Sequence, residues 1–160
     1  MNIFYLDPDP IKAAQFHNNK HCVKMILEYA QIMSTAHHVL GSSINADVLY
    51  RKTHMNHPSA IWVRQSSASY QWLYSLFCAV CDEYTHRYGK VHKTDAKLRE
   101  VLSRLPTDIP NTSFTQPPQS MPEDCHSKCS VCAYRKYYMT HKAHIAAWKI
   151  RKTPHWFKEN

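Results

Sequence analysis

A strip of polar side chains on the first predicted helix has the composition of a chemical site. It consists of His17, His21, Lys24, Glu28, Gln31, Thr35 and His38. The spacing alternates between four and three residues, which places all seven on one face of a helix. The flanking positions are apolar, so the strip is narrower than an ordinary solvated helix face. It is predicted to line a cleft, in which His21, Lys24 and Glu28 act as acid, base or anion clamp. A solvated strip that contains histidines is the alternative.

A second cluster contains soft metal ligands. Cys125, Cys129 and Cys132 lie within eight residues, with His126 among them. Zinc prefers four nitrogen or sulfur ligands, and C-x-x-C spacing suits it. A structural zinc site at the three cysteines is one interpretation, and free thiols on a loop are the other. A metal-dependent hydrolase is disfavoured, because the chain has no H-E-x-x-H pattern and few carboxylates.

Basic residues are concentrated near the C-terminus, where they alternate with aromatic residues. Arg151, Lys152 and Lys158 surround Trp156, and a second basic group includes Arg87 and Lys90. Cationic side chains attract phosphates, and aromatic faces stack on exposed bases. Packing of the aromatic residues in the core is the competing interpretation.

Composition limits the classes of protein to consider. The chain has 160 residues and a formal net charge of +8, which favours an anionic partner such as double-stranded DNA or a nucleotide-like anion. Its two glycines exclude a Walker loop and a Rossmann fingerprint. No apolar run is long enough for a membrane span, and no signal peptide is apparent, so a cytoplasmic protein without disulfides is expected. Oligomeric state is not predicted.

The elements that must position these residues are helices. One domain, 1–160, is predicted to be all-α, with about four helices and an extended N-terminal segment packed in the core. The first helix is predicted from Ile11 to about Leu40, after a cap at Asp9. A second runs from Ser59 or Ser67 to Tyr88, with Gly89 as its C-cap. A short helix capped by Thr94 is predicted next, followed by a Pro-rich loop at 106–124 and a Cys-rich loop at 125–132. A last helix is predicted over about 133–149, and a basic aromatic tail at 149–160. The inward stripe of the last helix is predicted to consist of Tyr134, Tyr138, His141, Ile145 and Trp148.

The order of these features resembles the pyrimidine dimer DNA glycosylases of the phage endonuclease V type. Lys20-His21-x-x-Lys24 resembles the family's Arg-Glu-x-x-Arg on its first helix, so that His21 stands where the family has its catalytic Glu. The segment 151–158 resembles the family's basic C-terminal stretch ending in Pro-x-Trp-aromatic-Lys. Asn56-His57-Pro58 resembles an Asn-His-Pro of cellular relatives. The whole chain looks like a divergent small phage protein, which would place it in an infected bacterial host.

The resemblance implies an all-α DNA repair enzyme, a glycosylase and AP lyase that needs no cofactor. Such enzymes attack the sugar C1′ of a damaged nucleotide with the N-terminal α-amine, form an imine, and cut the strand by elimination. An α-amine has a pKa of about 8 in peptides, so a useful fraction is nucleophilic at neutral pH. In this chain the predicted catalytic residues are Met1, His21 and Glu28. The predicted DNA or phosphate contacts are His17, Lys20, Lys24, His57, Arg64, Arg87, Lys90, Arg151, Lys152, Trp156 and Lys158.

The family's Glu is absent at position 21, and this departure keeps a second hypothesis open. On that view the same scaffold is a non-catalytic binder of DNA, a modified base or a phosphorylated nucleotide, as in a phage accessory or counter-defence protein. Binding without cleavage would distinguish it from the enzyme.

Overall fold

Six α-helices build the fold in a computed structural model that describes residues 1–158. They are α1 (Pro10–Phe16), α2 (Asn19–Leu40), α3 (Pro58–Gln65), α4 (Ser67–Tyr88), α5 (Lys93–Leu98) and α6 (Ser130–His141). Three short 3-10 turns cover Val101–Ser103, Glu123–Cys125 and Ala143–Ile145. Residues 1–158 contain no strand. The predicted all-α class is therefore confirmed, with six helices where about four were expected.

The segment predicted as one helix from Ile11 to about Leu40 forms two helices, α1 and α2, so the prediction of a continuous helix was wrong. His17 is extended and Asn18 is the N-cap of α2, where its side-chain oxygen accepts the His21 N–H at 2.9 Å. Asparagine caps a helix better than it continues one, because its amide competes for backbone donors. His17 therefore lies outside α2, while Asp9 caps α1 as predicted.

Of the two starts predicted for the second helix, the structure has Ser67, and the residues from Pro58 to Gln65 form a separate helix. His57 caps α3, which begins at Pro58, and Ser66 adopts an extended backbone that separates α3 from α4. The Ser66 hydroxyl accepts the Ser69 N–H at 3.0 Å, so it caps α4. Gly89 ends α4 as predicted, in the left-handed conformation at φ 69° that glycine adopts without strain.

Two boundaries toward the C-terminus differ from the prediction. His92, not Thr94, caps α5, because the imidazole Nδ1 of His92 accepts the Thr94 N–H at 3.1 Å. The last helix runs over Ser130–His141 and stops well before Lys149.

After α6 ends, the chain forms hydrogen bonds with the end of α1 and the start of α2. The carbonyl of Ala147 accepts the Asn19 N–H at 2.8 Å, and the Trp148 indole donates to the Phe16 carbonyl at 2.8 Å. Of the predicted inward stripe, Tyr134 and Tyr138 are buried, whereas His141 is exposed. Ile145 and Trp148 are half-buried beyond the end of the helix.

The core lies between α2 and α4, and the N-terminal segment passes through it. Helix α4 packs against α1, α2 and α3. Residues Ile3, Phe4, Tyr5 and Leu6 are all buried, as predicted for an extended segment in the core. Within the described residues, the structure has no helix that is both long and apolar enough to cross a membrane.

Candidate active site

The N-terminal segment is held against α2 by a chain of buried hydrogen bonds. The Phe4 N–H donates to the Tyr29 hydroxyl at 3.2 Å, and the same hydroxyl lies 2.8 Å from Nε2 of His17. Nδ1 of His17 lies 2.6 Å from the Ala13 carbonyl, which can only accept, so Nδ1 carries the proton. Burial lowers the pKa of His17 to about 4, so the ring is neutral and its Nε2 accepts from Tyr29. Each hydrogen-bond donor in this chain therefore has one acceptor. These bonds fix the position of the N-terminal segment along α2, that is, its register.

This register brings the Met1 α-amine to Glu28. The amine nitrogen lies 4.0 Å from Oε1 of Glu28, and the Met1 side chain is 7% exposed. Lys24 lies on the open side, with its Nζ 3.7 Å from Oε2 of Glu28 and a side chain that is 73% exposed. An amine, a carboxylate and an exposed cation thus share one small site.

Two buried oxygens in this N-terminal region lack a hydrogen-bond partner among residues 1–158. They are Oε2 of Glu28, whose ion-pair distance to Lys24 is too long for a hydrogen bond, and Oδ1 of Asn2. A buried acceptor without a partner is costly, and such atoms are common where a substrate or a proton will bind.

His57 is the N-cap residue of α3. Its Nδ1 accepts the Ser59 N–H at 3.1 Å, which leaves Nε2 for another partner. Burial lowers the pKa of His57, and the positive charges of the N-terminal amine and His54 lower it further. A neutral His57 with its proton on Nε2 can donate a hydrogen bond to an oxygen of a bound ligand.

Arg64 holds the turn that carries His57. Its guanidinium donates to the carbonyl of Met55 at 2.6 Å and to the Ala60 carbonyl at 3.3 Å. His54 in this turn has a positive φ of 46°. Because one guanidinium nitrogen makes both bonds, the rest of the Arg64 group is free to meet a phosphate.

The structure does not place His21 beside the amine. His21 is 6% exposed, its ring stacks on Phe4 at 4.1 Å, and its Nδ1 lies 2.6 Å from the Tyr138 hydroxyl. Burial lowers its pKa to about 3. Glu28 is seven residues further along α2, or about 10 Å at 1.5 Å per residue. His21 therefore supports the N-terminal segment at Phe4, while Glu28 meets the amine.

Two predicted phosphate contacts are buried inside the protein. His17 is 0% exposed and lies in the hydrogen-bond chain described above. Arg87 is 2% exposed and donates to Glu83 at 2.8 Å, to the His17 carbonyl at 2.8 Å and to the Gln15 carbonyl at 3.0 Å. Neither side chain can reach a phosphate in this conformation. We therefore place neither on the DNA-binding surface.

Of the other predicted DNA contacts, some are exposed and some interact with residues of the protein itself. Lys20, Lys90, Lys152 and Lys158 are exposed. Arg151 is bound to Glu83 through two hydrogen bonds of 2.9 and 3.0 Å, and Trp156 packs against Phe16 and under the Arg135 guanidinium. Trp156 is half-buried, so core packing accounts for most of its environment. Of the C-terminal tail, Glu159 and Asn160 lie outside the described residues.

The predicted zinc ligands do not assemble as expected. Across residues 1–158, the three thiols of Cys125, Cys129 and Cys132 do not meet within metal-binding distance. Cys125 is buried in the turn Glu123–Cys125, whereas Cys129 caps α6 and accepts the Cys132 N–H at 3.1 Å. The cap directs the Cys129 thiol to the start of α6, away from Cys125. The three thiols therefore do not form one cluster in this structure.

The sequence model of the pyrimidine dimer DNA glycosylases matches residues 1–97, which is more than half of the chain and includes Met1, Glu28 and His57. The chain belongs to this family. DNA repair by a glycosylase is therefore its function at the family level, and DNA is its partner. No curated protein matches the chain, and no solved structure does.

The family match ends at residue 97, and in this glycosylase-family chain a residue beyond it supports the start of α2. Tyr138 on α6 bonds to His21 and also accepts the Asn18 N–H at 3.3 Å. Sequence reasoning missed both Tyr29 and Tyr138. Tyr138 was assigned only to an inward stripe, and no local pattern marks Tyr29, since its partners His17 and Phe4 are distant in sequence.

Proposed function

We propose that the chain is a DNA glycosylase and AP lyase whose nucleophile is the α-amine of Met1 and whose proton-transfer group is Glu28. The observation that carries this proposal is the 4.0 Å separation between the amine and Oε1 of Glu28. A carboxylate at this distance accepts the proton that the amine loses and stabilises the cation that forms afterwards.

The proposed reaction begins when the neutral amine attacks C1′ of the damaged nucleotide and the C1′–N glycosidic bond breaks. The base leaves with the bonding electrons and takes a proton from the solvent. One proton of the amine passes through Glu28 to the ring oxygen O4′, the C1′–O4′ bond breaks, and a protonated imine forms between the amine nitrogen and C1′. Glu28 then removes a proton from C2′, which expels the 3′ phosphate and cuts the strand, and water hydrolyses the imine to release the sugar from the amine.

The surrounding side chains have distinct tasks in this proposal. Lys24 and Lys20 hold phosphates on the exposed side of α2. His57 donates from Nε2 to an oxygen of the same nucleotide, and Arg64 fixes the turn that presents it. The unpartnered oxygens of Glu28 and Asn2 accept donors of the flipped nucleotide.

Borohydride trapping tests the proposal. Mass spectrometry first establishes the N-terminal residue, and duplex DNA with one abasic site or one UV dimer is then reduced in the presence of protein. The wild type and Glu100→Gln, which changes an exposed carboxylate, are expected to form a covalent adduct. Glu28→Gln is expected to lower the rate of adduct formation by roughly 100-fold or more, and blocking the α-amine is expected to abolish the adduct.

One specific observation favours the non-catalytic binder as the second candidate. The position that corresponds to the family's carboxylate holds His21, which is buried and neutral. A gel shift with intact affinity but no adduct and no strand cleavage would support this candidate and refute the lyase. An adduct that survives blocking of the amine would instead assign the nucleophile to a lysine.

A further inference from the structure

Three ligand atoms of different chemistry meet where the turn Glu123–Cys125 contacts the end of α6. They belong to Asp124, Cys125 and His141, and all lie within 4.8 Å of one another. Nε2 of His141 is 2.9 Å from Oδ2 of Asp124, and the Cys125 thiol lies 3.5 Å from the Thr140 hydroxyl. The cluster thus joins residues that are 16 or 17 positions apart in the chain.

We propose that Asp124, Cys125 and His141 bind a zinc ion. Zinc takes sulfur at about 2.3 Å and nitrogen or carboxylate oxygen at about 2.0–2.2 Å, in a tetrahedral array. Ligand atoms in such an array are roughly 3.3–3.8 Å apart. The Asp124–His141 pair needs to open by only about 0.5 Å to admit the ion at this spacing. Water or a side chain from the adjoining loop completes the fourth position.

The donor set selects the metal. A thiolate and an imidazole are ligands for zinc and disfavour magnesium and calcium, which prefer oxygen. Burial of Cys125 at 0% exposure places the thiol on the inner side, whereas Asp124 and His141 are exposed and give the ion an entry path. An exposed pair of Asp and His alone contributes little to stability, so the third ligand is what makes this cluster a site.

The ion would fix α6 to the end of the Pro-rich loop. His141 is one helical turn beyond Tyr138, whose hydroxyl bonds to His21 and Asn18. Metal binding at this position would therefore stabilise the part of the fold that lies outside the family match. This inference does not rest on the imine chemistry, because no proposed ligand lies in the candidate active site.

Cobalt and zinc titrations of the full chain test the site. The protein is stripped with a chelator, checked for folding by circular dichroism, and titrated with Co²⁺ alone. A thiolate-to-cobalt charge-transfer band with one ion per chain is expected, and Zn²⁺ should displace it. The band should be retained in the double variant Cys129→Ser/Cys132→Ser, which removes the two neighbouring thiols, and lost in Cys125→Ser.

His141→Asn changes an exposed side chain and provides a variant whose folding is not at risk. It is expected to weaken zinc binding by roughly 100-fold and to remove the increase in melting temperature that zinc produces. A band that persists in Cys125→Ser and disappears in the double variant would assign the metal to Cys129 and Cys132. Absence of Co²⁺ and Zn²⁺ binding by the folded wild type would reduce the cluster to an ion pair. Either result overturns the proposal.

Discussion

The hydroxyl of Tyr29 accepts the backbone N–H of Phe4 at 3.2 Å, three residues from the α-amine that meets Glu28. The same hydroxyl donates to His17, so a single oxygen joins the N-terminal segment to the break between α1 and α2. A fixed Phe4 limits where Met1 can lie, because only two residues separate them. Tyr29 is thus a positioning residue for the proposed nucleophile.

Tyr29→Phe is expected to release the N-terminal segment, so that the Met1 amine is no longer held beside Glu28. Loss of the hydroxyl leaves a buried donor and a buried acceptor unpaired, which should lower the free energy of unfolding by about 1–3 kcal/mol. The rate of borohydride trapping should fall well below the wild-type rate while DNA affinity is preserved, measured at a temperature where both proteins are folded. Tyr70→Phe is the matched control, since Tyr70 is also buried and bonded to a histidine, His37, but lies away from the N-terminal segment. Equal trapping losses in both variants would contradict a positioning role.

The exposed cations of α2 are expected to determine the salt dependence of DNA binding. Lys24→Ala and Lys20→Ala should each reduce the slope of log affinity against log salt by about 0.9, the value for one phosphate contact on duplex DNA. The comparison variant is Lys128→Ala, an exposed lysine on the Cys-rich loop. Fluorescence anisotropy over a series of salt concentrations measures the slopes. If Lys128→Ala changes the slope as much as Lys24→Ala, the DNA is not bound along α2.

Arg87 is expected to act on stability. Its side chain is fully buried against Glu83 and two backbone carbonyls, so Arg87→Ala leaves the carbonyl oxygens of His17 and Gln15 without this donor, while Glu83 keeps its bonds to Arg151. The expected loss is about 3 kcal/mol in the free energy of unfolding, because each buried acceptor left unpaired costs about 1–3 kcal/mol. Urea unfolding measures it, with Lys90→Ala as the exposed control. A weakened DNA affinity at unchanged stability would instead restore Arg87 to the DNA-binding surface.

The burial of Arg87 illustrates which features of this fold the sequence could not predict. Glu83 and Arg87 are one turn apart on a helix, a pattern that is typical of an exposed ion pair. Burial arises because the break at His17 and Asn18 frees the carbonyls of Gln15 and His17 to accept from the guanidinium. That break was missed, so its consequence could not be predicted.

Features that depend on nearby residues were predicted better than features that depend on tertiary contacts. The Asp9 cap and the end of α4 at Gly89 follow from local backbone preferences, and both are observed. The strip residues from His21 to His38, which include Glu28, also lie on one helix as predicted, whereas His17 does not. Which strip residue meets the amine was not predictable, because that depends on the register of residues 1–6, and Tyr29 sets this register from 25 residues away.

Stability is expected to fall as the pH decreases from about 6.5. Burial lowers the pKa of His17 and of His37 to about 4 and that of His21 to about 3, whereas in the unfolded chain histidine titrates near 6.5. Between these values the unfolded state binds more protons than the folded state, so the free energy of unfolding decreases as the pH decreases. Each such histidine contributes up to about 1.4 kcal/mol per pH unit.

Urea unfolding between about pH 7 and pH 5 isolates the contribution of the histidines, because carboxylates titrate mainly below this range. His21→Gln should reduce the pH slope, and replacement of the exposed His144 by Gln should leave it unchanged. A free energy of unfolding that stays constant between pH 7 and pH 5 would mean that the three rings are not held neutral in the folded protein.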